Sequence, residues 1–240
     1  NDLETISSYI REHNTALSIV DCVTSLGACN VPVDEWQLDI VASGSQKGYM
    51  IPPGLSFISM SQKAWEATEK SNLPKFYLNL QSYRKSLLSN SNPYTPAVNL
   101  VFALDEALKM MREEGLENIF FRHNKHKLAM SNAIKALNLK LFADEQCLSP
   151  SITAIKTEEM DAEEFRKTIK NKFDILLAGG QDHLKGKIFR VGHLGYVNDR
   201  DIITVISAIS NTLIGLNKIT TQQAGEALAV ASKYLEEKLN

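Results

Sequence analysis

Leu17-Ser18-Ile19-Val20-Asp21 and, further on, Asp39-Ile40-Val41-Ala42-Ser43-Gly44-Ser45-Gln46-Lys47-Gly48-Tyr49-Met50-Ile51-Pro52-Pro53-Gly54-Leu55 decide the fold. Each segment starts as a short apolar run and ends in polar residues. Runs rich in β-branched residues and lacking alternation predict strands buried on both faces, as in a parallel sheet. Ligands of such sheets sit beyond the carboxyl ends of the strands. If the two strands are parallel, Asp21 and Lys47 leave the sheet at the same edge, and a carboxylate and an amine face one crevice. Such a lysine can form a Schiff base with a carbonyl. A neighbouring carboxylate can keep a pyridine nitrogen protonated, which is what proteins supply to pyridoxal phosphate. On residue types alone the plainer account is favoured, in which Asp21 caps a loop and Lys47 is a solvated surface lysine.

The strings themselves carry more. Val20-Asp21-Cys22-Val23-Thr24-Ser25-Leu26-Gly27, then Val33-Asp34-Glu35-Trp36, then Gly44-Ser45-Gln46-Lys47 ahead of Pro52-Pro53-Gly54-Leu55, resemble the class V (fold type I) aminotransferases. The match is to the alanine–glyoxylate and serine–pyruvate group. The resemblance implies an α/β fold, with part of a large domain built on a mainly parallel sheet and a small C-terminal α+β domain. It implies pyridoxal 5'-phosphate as cofactor, with Lys47 as the Schiff-base lysine and Asp21 paired with the pyridine nitrogen. Val23 would pack on one ring face, and Gln46 would lie near the phosphate or the ring oxygen. Members of the group carry a further N-terminal half of the large domain, which supplies a phosphate-cradling loop and an aromatic residue that stacks on the ring. The chain is therefore expected to be a C-terminal fragment, incomplete as a catalyst by itself.

Composition agrees with a globular protein. Of 240 residues, 44% are hydrophobic and 22% charged, which is ordinary for such chains. A formal net charge of −2 gives no footprint for nucleic acid. The longest apolar run, residues 202–216, is interrupted by Thr204, Ser207, Ser210, Asn211 and Thr212, so no membrane span is expected. Cys22, Cys29 and Cys147 lack metal or redox spacing and fit a reducing cytoplasm. No metal site is expected.

Periodicity places helices over 3–14, 61–71, 76–88, 97–114, 117–138, 161–173, 199–216 and 220–239. Strands are expected over 17–21, 39–42, 55–60, 139–143, 152–156, 174–178 and 188–192. Asp161-Ala162-Glu163-Glu164 and Thr220 with Gln223 have the spacing of capping boxes. Gly115 suits a helix C-cap, and the domain boundary is placed there, giving domains 1–115 and 116–240. His123 and His126, among Arg122, Lys125 and Lys127, predict a solvated basic face, since two histidines are too few for a metal. Residues 89–96, Ser-Asn-Ser-Asn-Pro-Tyr-Thr-Pro, read by composition as a linker. By the resemblance they reach the cofactor phosphate of a partner subunit, with Thr95 donating a hydrogen bond across a homodimer interface.

Arg190 lies inside an apolar strand and must find an anion or solvent. Its planar fork matches a carboxylate; residue types leave a structural ion pair and a ligand clamp evenly open. Arg190-Val191-Gly192-His193-Leu194-Gly195 resembles the group's substrate-carboxylate motif, which assigns Arg190 to the α-carboxylate and leaves His193 as a loop or packing residue. The implied reaction moves an amino group from alanine or serine to glyoxylate or pyruvate. Cysteine desulfurases of the same superfamily place histidine before the lysine, where Gln46 stands here. Cyanobacterial members of the group carry the label of a soluble hydrogenase small, tritium-exchange subunit, an alternative without a metal site of its own, because the three cysteines are scattered and hydrogenase metals need clustered thiolates.

Overall fold

The computed structural model describes residues 2–13, 15–158 and 160–238. The chain divides into two compact units, Asn1–Leu26 with Val31–Met110, and Gly27–Asn30 with Met111–Asn240.

The first unit opens with α1 (Leu3–His13) and then forms β1 (Ile19–Asp21), β2 (Ile40–Gly44) and β3 (Ser56–Met60), in the sheet order β1-β2-β3. β1 and β2 are parallel, with Ile19 opposite Ile40 and Asp21 opposite Ala42. The ladder continues one residue further, where Cys22 N–H donates to Ala42 O at 2.8 Å. β3 joins antiparallel, Gly44 facing Ser56. The connection 45–55 is shorter than the crossover of about a dozen or more residues that a parallel partner needs, so the chain turns back. Burial on both faces holds for β2, where Val41 is 2% exposed, but not for β1, where Ile19 is 72% exposed. Among the described residues β1 pairs on one side only, so its outer side chains meet no second strand.

α2 (Gln62–Lys70) starts at Ser61, whose hydroxyl accepts from Ala64 N–H, and ends at Ser71. α3 is Leu80–Leu88, shorter than the periodicity of 76–88 suggests. Asn79 caps it by accepting from Gln81 N–H at 3.2 Å, and Phe76 O closes a turn ahead of it, accepting from Asn79 N–H at 3.2 Å and from Tyr94 Oη–H at 2.8 Å. α4 is Val98–Glu114 and α5 is Leu116–Ala136. Gly115 between them has φ +84°, which a side chain would resist. Its N–H donates to Met111 O and its carbonyl accepts from Ile119 N–H, both at 3.0 Å, so it closes one helix and opens the next.

In the second unit β4 (Lys140–Leu141), β5 (Ile152–Lys156), β6 (Ala178–Gly179) and β7 (Ile188–Gly192) form an antiparallel sheet ordered β4-β5-β7-β6. With α5, α6 (Ala162–Phe173), α7 (Asp199–Gly215) and α8 (Thr221–Leu235) it encloses a core that includes Ile134, Ile155, Phe165, Phe189, Ile206 and Leu213. This is the expected α+β arrangement. Full capping boxes open α7, from Asn198 and Asp201, and α8, from Thr220 and Gln223. Asp161 makes only the forward half, accepting from Glu163 and Glu164 N–H. The strand expected at 174–178 contracts to Ala178–Gly179 because Asp174 ends α6 in the left-handed region, at φ +55°. Asn14 and Leu239, the far ends expected for the first and last helices, lie outside the described residues. Among the described residues no helix is long and apolar enough to cross a membrane.

Candidate active site

The parallel register of β1 and β2 brings the Asp21 loop and the Lys47 loop to one edge of the first unit's sheet. Asp21 is the last residue of β1 and is exposed. Its Oδ1 accepts from Val23 N–H at 2.8 Å, so the carboxylate is steered by the turn that follows the strand while Oδ2 stays uncommitted among the described residues. Val23 is half-buried and Gln46 exposed. Gln46 folds over Gly44, where an added Cβ would lie 2.9 Å from Gln46 Oε1. Lys47 is half-buried. Among the described residues its Nζ makes no hydrogen bond or ion pair.

Two residues that the sequence reading passed over hold these strands in shape, one at each end. Ser45 is fully buried. Its hydroxyl donates to Pro52 O at 2.8 Å and accepts from Leu55 N–H at 3.2 Å, and its own N–H donates to Leu55 O at 3.1 Å. Pro52 and Pro53 have no N–H to offer, so Ser45 closes the 45–55 excursion by itself. Its signal in sequence is slight: a serine between Gly44 and the Gln-Lys pair, ahead of a Pro-Pro-Gly turn. At the opposite end of the strands, Asp39 is 7% exposed. It accepts from Ser18 N–H at 3.0 Å and Ser61 Oγ–H at 2.8 Å, lies 3.5 Å from Lys63 Nζ, and its N–H donates to Ser18 Oγ at 2.8 Å. Burial pushes the Asp39 carboxyl up, but the bonds from Ser18 and Ser61 and the charge of Lys63 outweigh it and hold it below the usual range. A polar residue opening an apolar run was the available clue.

Thr95 is exposed in the segment before α4, and among the described residues it makes no hydrogen bond to Asp21 or Lys47. Arg190 belongs to the second unit. It sits in β7 opposite Ala154 of β5 and Ala178 of β6, half-buried. Its Nε–H donates to Gly179 O at 2.8 Å. Among the described residues no carboxylate pairs with it, which removes the structural ion pair as its explanation.

The solvated basic face expected around His123 and His126 is absent: both are fully buried. His123 Nδ1–H donates to Ile119 O at 2.7 Å and Nε2 accepts from Gly195 N–H at 3.1 Å. His126 Nε2–H donates to Asp199 Oδ1 at 2.9 Å, while its Nδ1 has no partner among the described residues. The helix turns these two rings inward, where they bond loop and helix termini, and Arg122 and Lys125 beside them are half-buried and paired, Lys125 with Asp199 at 2.9 Å. Arg122 bonds both oxygens of Glu114, at 2.6 and 2.9 Å, and donates to Gly195 O and Val197 O. His193 is a packing residue as expected, fully buried between Pro150 O and Thr153 Oγ1. Among the described residues no group of three or more His, Cys, Asp or Glu converges as a metal site.

An α/β sheet that releases an acid and an unpaired lysine at the carboxyl ends of neighbouring parallel strands is the framework of fold type I pyridoxal-phosphate enzymes. A family model for class-V aminotransferases matches residues 1–197, and the chain belongs to that family. It is 56% identical over 235 residues to a protein named soluble hydrogenase, small subunit, from Synechococcus sp. (strain PCC 6716), covering 98% of this chain and 61% of that one. To the serine–glyoxylate aminotransferase of Methylorubrum extorquens it is 36% identical over 229 residues, covering 92% of this chain and 56% of that one. Among solved structures, ureidoglycine–glyoxylate aminotransferase from Bacillus subtilis superposes with a TM-score of 0.88 at 30% identity, covering 97% of this chain and 62% of that one. The chain thus spans 56–61% of the length of these two curated relatives.

Proposed function

We propose that this chain takes part in pyridoxal-phosphate-dependent transamination, moving an amino group from a small amino acid, alanine or serine, to glyoxylate or pyruvate. The observation that carries it is the parallel register of Asp21 with Ala42, which brings a half-committed carboxylate and an unpaired lysine amine to one edge. That donor set fits the cofactor. Lys47 Nζ is free to bond its aldehyde carbon, and Asp21 Oδ2 is free to hold a proton on its ring nitrogen. Val23 and Gln46 would flank the ring and its oxygen substituents. When bound, pyridoxal phosphate supplies the electron sink for the charge left at the substrate's α-carbon. Lys47 Nζ, set free when the substrate's amine takes its place on the cofactor, would take the α-proton and return it, acting as base and then acid. Arg190 holds the substrate carboxylate through its two terminal nitrogens. Thr95 serves the cofactor phosphate of a second copy in a homodimer.

Residues 1–115 act as the C-terminal part of a large domain and 116–240 as the small domain. Cys22, Cys29 and Cys147 form no disulfide among the described residues, which supports a cytoplasmic setting. The hydrogenase name of the Synechococcus relative supplies the competing reading, a subunit associated with a hydrogenase. The scattered placement of the cysteines favours the transferase.

The test is to load the protein with pyridoxal phosphate, reduce with borohydride and map the adduct by mass spectrometry. An adduct on the Lys47 peptide, with the visible absorption band absent in Lys47→Ala, is the expected result. Labelling that is absent, or that falls on other lysines, overturns the proposal. Stoichiometric nickel or iron in the purified protein would favour the hydrogenase-associated reading instead.

A further inference from the structure

A guanidinium grips a carboxylate with two prongs only when it is aimed, and Arg190 is aimed from one point. Its Nε–H is held by Gly179 O, leaving the two terminal nitrogens side by side without partners among the described residues. Yet Gly179 ends a two-residue edge strand, β6, whose only sheet neighbour among the described residues is β7. Edge strands this short fray readily. A carbonyl on a fraying strand would aim nothing.

Arg166 of α6 prevents that fraying. Its side chain is 22% exposed. Nε–H donates to Leu177 O at 2.8 Å, and Nη1 bonds Glu163 Oε2 at 2.7 Å. The pair also closes over Gly179: a Cβ built there would stand 2.5 Å from Arg166 Nη1 and 2.6 Å from Glu163 Oε1. The Arg166–Glu163 pair therefore braces this segment through a hydrogen bond to Leu177, the residue before β6, and a close approach to Gly179, where a side chain would push the pair aside. Gly180 is equally confined, its Cβ position lying 2.1 Å from Leu184 O.

We propose that Arg166 is a positioning residue of the carboxylate site, acting through Leu177–Gly179 on the Nε of Arg190. The proposal rests on the reading of Arg190 as the carboxylate clamp. With Nε tethered, the fork is pre-organised and a carboxylate binds without first ordering it. Releasing β6 frees Arg190 to rotate, and carboxylate affinity falls on the order of tenfold, the worth of one charge-assisted hydrogen bond.

The experiment follows the Arg190 Nε–H resonance by nitrogen-15 NMR, assigned by its loss in Arg190→Lys, in the wild type, in Arg166→Met and in Glu163→Gln. Arg166→Met keeps the aliphatic stem and removes the guanidinium. Glu163→Gln keeps an acceptor for Arg166. Expected are solvent exchange of the Arg190 Nε–H about tenfold or more faster in Arg166→Met and a correspondingly weaker response to added pyruvate. Glu163→Gln should stay near the wild type, and the urea midpoint of each variant controls for global loosening. If Arg166→Met fails to fold, Arg166→Lys, whose single ammonium cannot reproduce the fork, takes its place. Unchanged exchange and unchanged pyruvate response in the Arg166 variant overturn the positioning role. A wild-type Arg190 Nε–H that pyruvate does not shift overturns the carboxylate reading instead, while the exchange comparison still reports whether Arg166 holds Arg190.

Discussion

Acidification is expected to loosen the second unit well before its carboxylates titrate, through His123 and His193. Each ring is used to capacity in its neutral form. His123 gives its Nδ1 proton to Ile119 O and receives Gly195 N–H at Nε2. His193 gives its Nδ1 proton to Pro150 O and receives the Thr153 hydroxyl at Nε2. Carbonyls only accept and amide N–H groups only donate, so the tautomers follow from the partners. A second proton would have to break the bond at Nε2. Burial pushes both imidazoles down to about 4, against the ordinary 6.5, with cationic and imidazole neighbours adding to it. His126 moves in the same direction by burial, opposed by Asp199.

The folded pKa lies below the unfolded one, so the unfolded chain binds more protons as pH falls past 6.5. The stability these rings confer is complete above that value and is lost progressively from there down toward 4. At about pH 5 each ring costs about 2 kcal/mol of stability and the two together about 4, a large share of a typical domain's total. Asp39 and Asp199, whose pKa values are lowered, lose their contribution only at lower pH still. Both tryptophans, Trp36 and Trp65, lie in the first unit, so far-UV circular dichroism in urea is the signal to follow. The urea midpoint of the helical transition should fall clearly between about pH 7 and about pH 5. The double variant His123→Gln, His193→Gln, which can donate and accept but does not titrate, should lose most of that slope. An identical midpoint at both pH values, or a double variant with the wild-type slope, refutes the reasoning.

Two further outcomes follow from the packing. Asp39→Ala, at the start of β2, strips acceptors from Ser18 and Ser61 and leaves Lys63 with Ala16 O as its remaining partner; it should cost about 2–4 kcal/mol, read by tryptophan fluorescence in urea. Gly179→Ala should cost about 1 kcal/mol or less, because its methyl meets only the flexible ends of Arg166 and Glu163, which can turn aside. Gly192→Ala, where the added methyl meets open space, should be neutral or stabilise by about 0.5 kcal/mol, so a comparison of thermal midpoints separates the two glycines.

The parallel pair was legible because both of its signals are local: β-branched runs, and the polar residues that end them. The third strand's direction was not, since it depends on the length of the 45–55 connection rather than on the composition of Ser56–Met60. The start of α8 was written in the Thr220–Gln223 box, whereas α3 begins only after a turn that Phe76 O closes with Asn79 N–H, a carbonyl that also receives Tyr94 Oη–H from well outside that window. His123 and His126 were misplaced for a related reason. Their neighbours Arg122, Lys125 and Lys127 are cationic, but a helix sorts its residues by angle, and the two imidazoles three positions apart share the inward side.

The same distinction separates the residues that mark the site from those that make it work. Asp21, Lys47 and Arg190 announce themselves as charges in apolar surroundings. Ser45, Asp39 and Arg166 do their part by satisfying groups elsewhere in the backbone, so their own stretches of sequence point to them only faintly. Yet each fixes a degree of freedom the chemistry cannot leave loose. Asp39 ties the starts of β1 and β2 to the start of α2, which sets the register that brings Asp21 and Lys47 to one edge. Ser45 closes the loop that carries Lys47. Arg166 steadies the strand that aims Arg190. A substitution at any of the three leaves every marking residue in place. If the geometry argued here is right, it should weaken the site through its aim, with the chemistry of the remaining groups unchanged.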